Sequence, residues 1–183
     1  SAKVDEWLDQ GAGECLLRDP ACATIVAEAL RHFDGERYLL DSFVVMPNHV
    51  HVLFRLAPGE DLARLLHSWK SFTSKQLNQH LGRKGERWQP DYWDRLIRGP
   101  GHLANVRRYI RRNPELAGLV EGEFVLFDAA DAGVPPALLA AFTDEGTSVN
   151  SGFISGLPTA EAKRTMIAWL EEHGLGAGRV QYK

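Results

Sequence analysis

Cysteine is scarce in this chain of 183 residues, with Cys15 and Cys22 the two present. They lie seven apart with no closely spaced histidine, so neither a disulfide framework nor a zinc knuckle is indicated, and both read as reduced thiols. Long apolar runs are also missing: none approaches the roughly 20 residues that cross a bilayer, so no membrane partner is expected. The opening Ser1-Ala2-Lys3-Val4-Asp5-Glu6 is nothing like a signal peptide. The chain therefore reads as cytoplasmic, and its start without methionine reads as that of an excised piece. No internal repeat or low-complexity tract is found. What is present is enough apolar sequence, 44%, for a real core in one domain with an appendage.

The formal net charge of −3 hides an asymmetry. From Arg64 to Arg112 there are twelve Lys and Arg against the acids Glu86, Asp91 and Asp94, a balance of +9 that leaves −12 for the remainder. Interleaved with those charges are Trp69, Phe72, Trp88, Tyr92, Trp93 and Tyr109, a mixture suited to phosphates and stacked bases. Basic runs are often merely solvated, and several of these aromatics belong to a core. With that in view, the candidate nucleic-acid contacts are Lys70, Lys75, Arg95, Arg98, Arg107, Arg108, Arg111 and Arg112.

Apolar spacing predicts a helix over 21–33, stopping at Asp34-Gly35. Residues 37–46 alternate loosely, Pro47-Asn48 interrupts them, and 49–56 resume, which reads as an antiparallel hairpin. A second helix is predicted over 62–81, opened by Glu60-Asp61 and closed by Gly82. A short strand follows over 88–97, then a third helix over 102–113 that ends where Pro114 disfavours continuation. This order indicates an α+β fold with helices packed on one face of an antiparallel sheet. Residues 128–136 read as a loop, 143–158 as Gly/Ser-rich with little periodicity, and 159–173 as a fourth helix. The expected division is 1–125, a linker over 126–139, and a segment over 140–183.

The features that carry chemistry are two. His49-Val50-His51 sits inside the apolar run Phe43 to Phe54, and on an extended strand residues two apart face the same way, so both imidazoles converge. Tyr109 and Asn113 are four apart on the third predicted helix and share a face. Each has a plainer explanation alone: surface histidines, a packing tyrosine, a helix-terminal asparagine. Together they make a phosphoryl-transfer set. His49, His51 and the Asn113 amide oxygen can hold a divalent cation, Mg²⁺ or Mn²⁺, beside a Tyr109 nucleophile.

Four blocks also carry a family resemblance: Val44-Val45-Met46-Pro47-Asn48-His49-Val50-His51-Val52-Leu53, His67 to Thr73, Tyr92-Trp93-Asp94-Arg95-Leu96-Ile97-Arg98 and Tyr109 to Leu119. Over about residues 6–125 the chain resembles the REP-associated tyrosine transposases, a branch of the single-tyrosine HUH nucleases. The resemblance implies a ferredoxin-like α+β domain, His49 and His51 as metal ligands, Asn113 as the third and Tyr109 as nucleophile. It implies cleavage of single-stranded DNA beside a hairpin, with a 5′-phosphotyrosine link. Such proteins usually begin with a strand at the centre of the sheet, and nothing upstream of Lys3 supplies one.

Residues 140–183, with Phe142 to Gly152, Gly156-Leu157-Pro158, Ile167 to Gly176 and Val180 to Lys183, resemble the segment of bacterial leucyl-tRNA synthetases that returns from the editing domain to the catalytic core. Neither a His-Ile-Gly-His nor a Lys-Met-Ser-Lys-Ser signature for ATP occurs, so the chain by itself is not expected to aminoacylate. The leading expectation is a DNA strand transferase acting on single-stranded or hairpin DNA as a monomer or homodimer. The alternative is a non-catalytic tRNA-binding insert of a synthetase.

Overall fold

The computed structural model describes residues 14–88, 92–133, 147–154 and 180–181. Three α-helices among them are α1 (Pro20–Arg31), α2 (Leu62–Leu81) and α3 (Pro100–Leu116). The strands are β1 (Tyr38–Val45), β2 (His49–Leu56), β3 (Tyr92–Leu96), β4 (Val125–Asp128), β5 (Thr147–Ile154) and β6 (Val180–Gln181). They form one antiparallel sheet in the order β4-β1-β2-β5-β3-β6, so the α+β class holds.

Local chemistry sets the helix ends. Asp19 caps α1 by accepting a 2.9 Å hydrogen bond from the Ala21 N–H, with Pro20 in the first turn where its missing donor costs nothing. Asp61 caps α2 by accepting from the Arg64 N–H at 2.8 Å, and Gly82 at φ 62° closes that helix in the left-handed region. α2 thus spans the residues its periodicity predicted. The third helix does not stop at Asn113; it runs through Pro114 to Leu116. Proline forfeits one hydrogen bond to the preceding turn, but Asn113 and Pro114 are both buried, and the Ala117 N–H still reaches the Asn113 carbonyl at 3.0 Å. Packing outweighs the local preference.

β1 carries a bulge: Leu40 pairs with Phe54 and Ser42 with Leu53, leaving Asp41 as the extra residue. The bulge resets the alternation. Tyr38 and Leu40 before it share a face with Phe43 and Val45 after it, and with Val50, Val52 and Phe54 of β2, packing there against Leu30 of α1 and Leu65, Leu66, Trp69 and Leu77 of α2. Tyr38 is fully buried and its hydroxyl donates to the Leu30 carbonyl at 2.8 Å. The expected placement of helices on one face holds for α1 and α2. It fails for α3, which lies on the other face, where the bulge aims Asp41 and where the alternation sets His49 and His51.

Three further elements differ from the sequence expectation. β4, at the junction of the expected linker, pairs with β1 from Ser42↔Asp128 to Val45↔Val125. β5 arises within the stretch read as aperiodic. It lies between β2 and β3 and joins them, running antiparallel to both, as a central strand at the head of the chain would. Of the short strand expected over 88–97, Tyr92–Leu96 forms, residues 89–91 lie outside the described residues, and Trp88 sits in the core, donating its indole N–H to Thr73 Oγ1 at 2.7 Å. The helix expected over 159–173 lies outside the described residues.

Candidate active site

β2 brings His49 and His51 to the α3 face, with ring centroids 4.8 Å apart and both side chains almost wholly buried. The buried Asn48 orients the first of them: its amide oxygen lies 2.8 Å from His49 Nδ1, so that nitrogen donates and Nε2 carries the free lone pair. Burial holds His49 well below the ordinary imidazole pKa, with repulsion from His51 adding to it, and holds His51 at about 4. Both rings are therefore neutral near pH 7, the state in which imidazole binds a metal.

α3 carries Tyr109 to this pair. The Tyr109 hydroxyl is 3.5 Å from His51 Nε2, with ring centroids 5.1 Å apart and edge-to-face. One turn further on, Asn113 is fully buried on the same helix. Its side-chain oxygen and nitrogen, His49 Nε2 and His51 Nδ1 are all buried without a hydrogen-bond partner. An unsatisfied buried polar atom costs about 1–3 kcal/mol, and four on three of the candidate residues call for an explanation. Two imidazole nitrogens and an amide oxygen are a donor set suited to a divalent cation, so the residues present fit that group.

Beside the buried stripe of Leu103, Val106 and Ile110, α3 is held by an ion pair that sequence reading missed. Asp41, 2% exposed, accepts two 3.1 Å hydrogen bonds from Arg107 Nε and a further one from its Nη2. One turn on, Arg111 Nε donates to Asp128 at the end of β4 at 3.1 Å. These ion pairs clamp α3 to β1 and β4 on either side of Tyr109. The signal for Asp41 was a lone acid in the otherwise apolar Tyr38–Val45; for Asn48, an amide inside the apolar run beside His49.

The predicted basic contacts are placed unequally. Arg107 and Arg111 face the carboxylates just named, so their charge is already countered. Arg108 and Arg112 are exposed on the same helix, Arg112 with Glu115 at 3.6 Å. Arg98 is exposed just ahead of α3. Lys70, half-buried, and the exposed Lys75 belong to α2, across the sheet from the histidines, and the structure does not bring them to the site. Arg95 lies on β3 opposite Val149, with its side chain outside the description. Of the interleaved aromatics, Trp69 and Trp88 are core residues, whereas Phe72 is 52% exposed.

The model of the "Transposase IS200 like" family matches residues 19–113, just over half of the chain, and takes in the hairpin, both histidines, Tyr109 and Asn113. The chain belongs to the IS200-like transposase family. It is also similar to the leucine–tRNA ligase of Elusimicrobium minutum (strain Pei191), 32% identical over 107 residues that make up 58% of this chain and 12% of that protein. With the leucine–tRNA ligase of Alkaliphilus oremlandii (strain OhILAs) it shares 54% identity over 46 residues, 24% of this chain and 6% of that protein. No solved structure matches it.

A second cluster of donor atoms in this family member lies away from the histidines. Asp19, Cys22 and His80 have ligand atoms within 4.8 Å of one another. Asp19 caps α1 with one oxygen and meets His80 Nε2 with the other at 3.1 Å. Burial and the Asp19 carboxylate raise the Cys22 thiol, holding it protonated. These contacts tie the start of α1 to the end of α2. Among the described residues no helix is long and apolar enough to cross a membrane.

Proposed function

We propose that this IS200-like chain cleaves and rejoins single-stranded or hairpin DNA, with Tyr109 as nucleophile. The observation that carries the reading is the Tyr109 hydroxyl 3.5 Å from His51, on a helix whose next turn presents the buried, unpartnered Asn113 amide. Tyr109 Oη would lose its proton to water and attack a backbone phosphorus, the P–O3′ bond would break, and the departing oxygen would take a proton from water to leave a free 3′-hydroxyl. Attack by a 3′-hydroxyl on the phosphotyrosine would reverse these steps and join strands.

With Nδ1 turned to the cation, His51 Nε2 would carry the ring proton and donate to the Tyr109 hydroxyl, so His51 would not take the phenol proton. Its part is to hold the hydroxyl in place and to serve as a ligand through Nδ1. His49 Nε2, His51 Nδ1 and Asn113 Oδ1 would hold Mg²⁺ or Mn²⁺. When bound, that cation polarises the phosphate and favours the phenolate. Incubation with single-stranded hairpin DNA and Mn²⁺ should give a protein–DNA adduct that survives denaturing electrophoresis, and chelation with EDTA should remove it. An adduct formed equally well in EDTA would refute the metal assignment.

DNA contact falls to the exposed Arg108 and Arg112. Each phosphate contact to a single strand contributes about −0.7 to the slope of log affinity against log salt, so Arg108→Ala with Arg112→Ala should flatten that slope by up to about 1.4. An unchanged slope in a folded variant would make these arginines a solvated face.

A second reading, a tRNA-binding insert, is favoured by the similarity to leucine–tRNA ligases. Tighter binding to leucine tRNA than to hairpin DNA, with no adduct on either, would select it.

A further inference from the structure

The family match ends at residue 113, yet the strand that joins β2 to β3 comes from 147–154. Every neighbour of β5 is a strand that precedes it by fifty residues or more, and it contacts both of them by main-chain pairing: Val50↔Phe153 and Val52↔Asn150 on one side, Asp94↔Asn150 and Leu96↔Ser148 on the other. Without it β2 and β3 have no pairing between them, and the sheet parts at its middle. The hydrogen-bond pattern of the hairpin says which groups are at stake. Met46 N–H donates to the His49 carbonyl at 2.8 Å, so the main-chain groups of His49 and His51 point to β1, and those of Val50 and Val52 point to β5. Between Val50 and Val52 the register slips by one, setting Ser151 and Gly152 of β5 opposite His51. The bulge therefore lies beside the candidate ligand, a place where bulges commonly re-aim a side chain.

We infer that the seam between β2 and β3 is a strand-accepting site and that Thr147–Ile154 is an exchangeable donated strand, completing the sheet from outside the transposase-like region. Main-chain pairing supplies its hold, as in β-strand addition generally, so a detached copy of the same strand should bind the same seam. The inference rests on topology and register and does not depend on the DNA chemistry proposed above.

The test keeps the whole chain. A protease recognition sequence is inserted between Ala137 and Leu138, the folded protein is cut, and a fluorescent peptide of residues 145–156 is added in excess. The peptide should bind and displace the natural strand, and the Val50 and Val52 N–H groups should exchange hydrogen slowly whenever either strand is in place. Should cutting unfold the sheet, the peptide should restore that protection. Failure of the cut protein to take up the peptide would overturn the inference. So would loss of the C-terminal piece with protection at Val50 and Val52 unchanged. In the uncut chain, Asn150→Pro removes the N–H at the residue paired to both neighbours and should speed exchange at Val52 by about tenfold or more, while the amides of α1 stay protected. Unaltered exchange at Val52 would count equally against it. Adduct yield is not read in any arm, so failure here is distinguishable from failure of the tyrosine assignment.

Discussion

Tyr109→Phe should form no covalent adduct with hairpin DNA while binding it within about twofold of the unaltered protein. The substitution deletes one hydroxyl, the atom that would bond to phosphorus, and leaves charge, ring and helix in place. The lost contact to His51 is long, 3.5 Å, and Tyr109 is half-buried, so stability should fall by no more than about 1 kcal/mol. Adduct yield on denaturing gels and affinity by fluorescence anisotropy separate the two effects. Equal adduct yield from the variant would remove Tyr109 from the chemistry. A variant with lost affinity as well would place the residue in binding.

Arg107→Ala should destabilise the fold by about 3 kcal/mol, because it strands the Asp41 carboxylate, 2% exposed, without its partner. This is the low end of the usual range for breaking a buried pair, since the Arg107 side chain is itself 33% exposed and water can partly replace it. For a chain of this size the midpoint of thermal unfolding should drop by about 6–12 °C. Arg107→Lys keeps the charge but not the planar fork that donates from two nitrogens, and should recover only part of the loss. A cycle with Asp41→Ala should show strong coupling, the double variant being far less unstable than the sum of the singles. Near-additive losses would mean that the pair is not what holds α3. Because Arg107 sits two residues before Tyr109, adduct yield should fall in Arg107→Ala at temperatures where the protein remains folded.

The histidine pair, Tyr109 and Asn113 were legible because their spacings, two on a strand and four on a helix, carry geometry directly. α2 was legible for the same reason, with a cap at each end. Asp41 showed only as a lone acid in Tyr38–Val45; the bulge that aims it is a property of two strands in register, so its part could not be read from one of them. Nor was the side of the sheet taken by α3 legible: its buried stripe of Leu103, Val106 and Ile110 tells which face of the helix packs but not which face of the sheet receives it, and the Asp41 and Asp128 ion pairs could not be read from the helix. Pro114 misled because a local preference was weighed without the burial that overrides it. β4 offers only Val125-Leu126-Phe127 as signal, and β5 pairs with partners so far away that nothing in Thr147–Ile154 announces them. Charge counting found the basic stretch but could not tell Arg107 and Arg111, which reach across to acids of β1 and β4, from Arg108 and Arg112, which do not.

The position of β5 also sets an order of events during synthesis. His49 pairs with Ile154, a separation of about a hundred residues, so the hairpin and α2 leave the ribosome long before the strand that closes the sheet exists. At 5–20 residues per second the wait lasts roughly 5–20 seconds. Throughout it the inner edge of β2 is an open row of donors and acceptors carried by an apolar strand, the kind of edge on which nascent chains associate wrongly. Sheet closure is thus a late step with high contact order, slow relative to the helices. The same residues that complete the folded sheet leave the newborn one vulnerable to aggregation until they arrive.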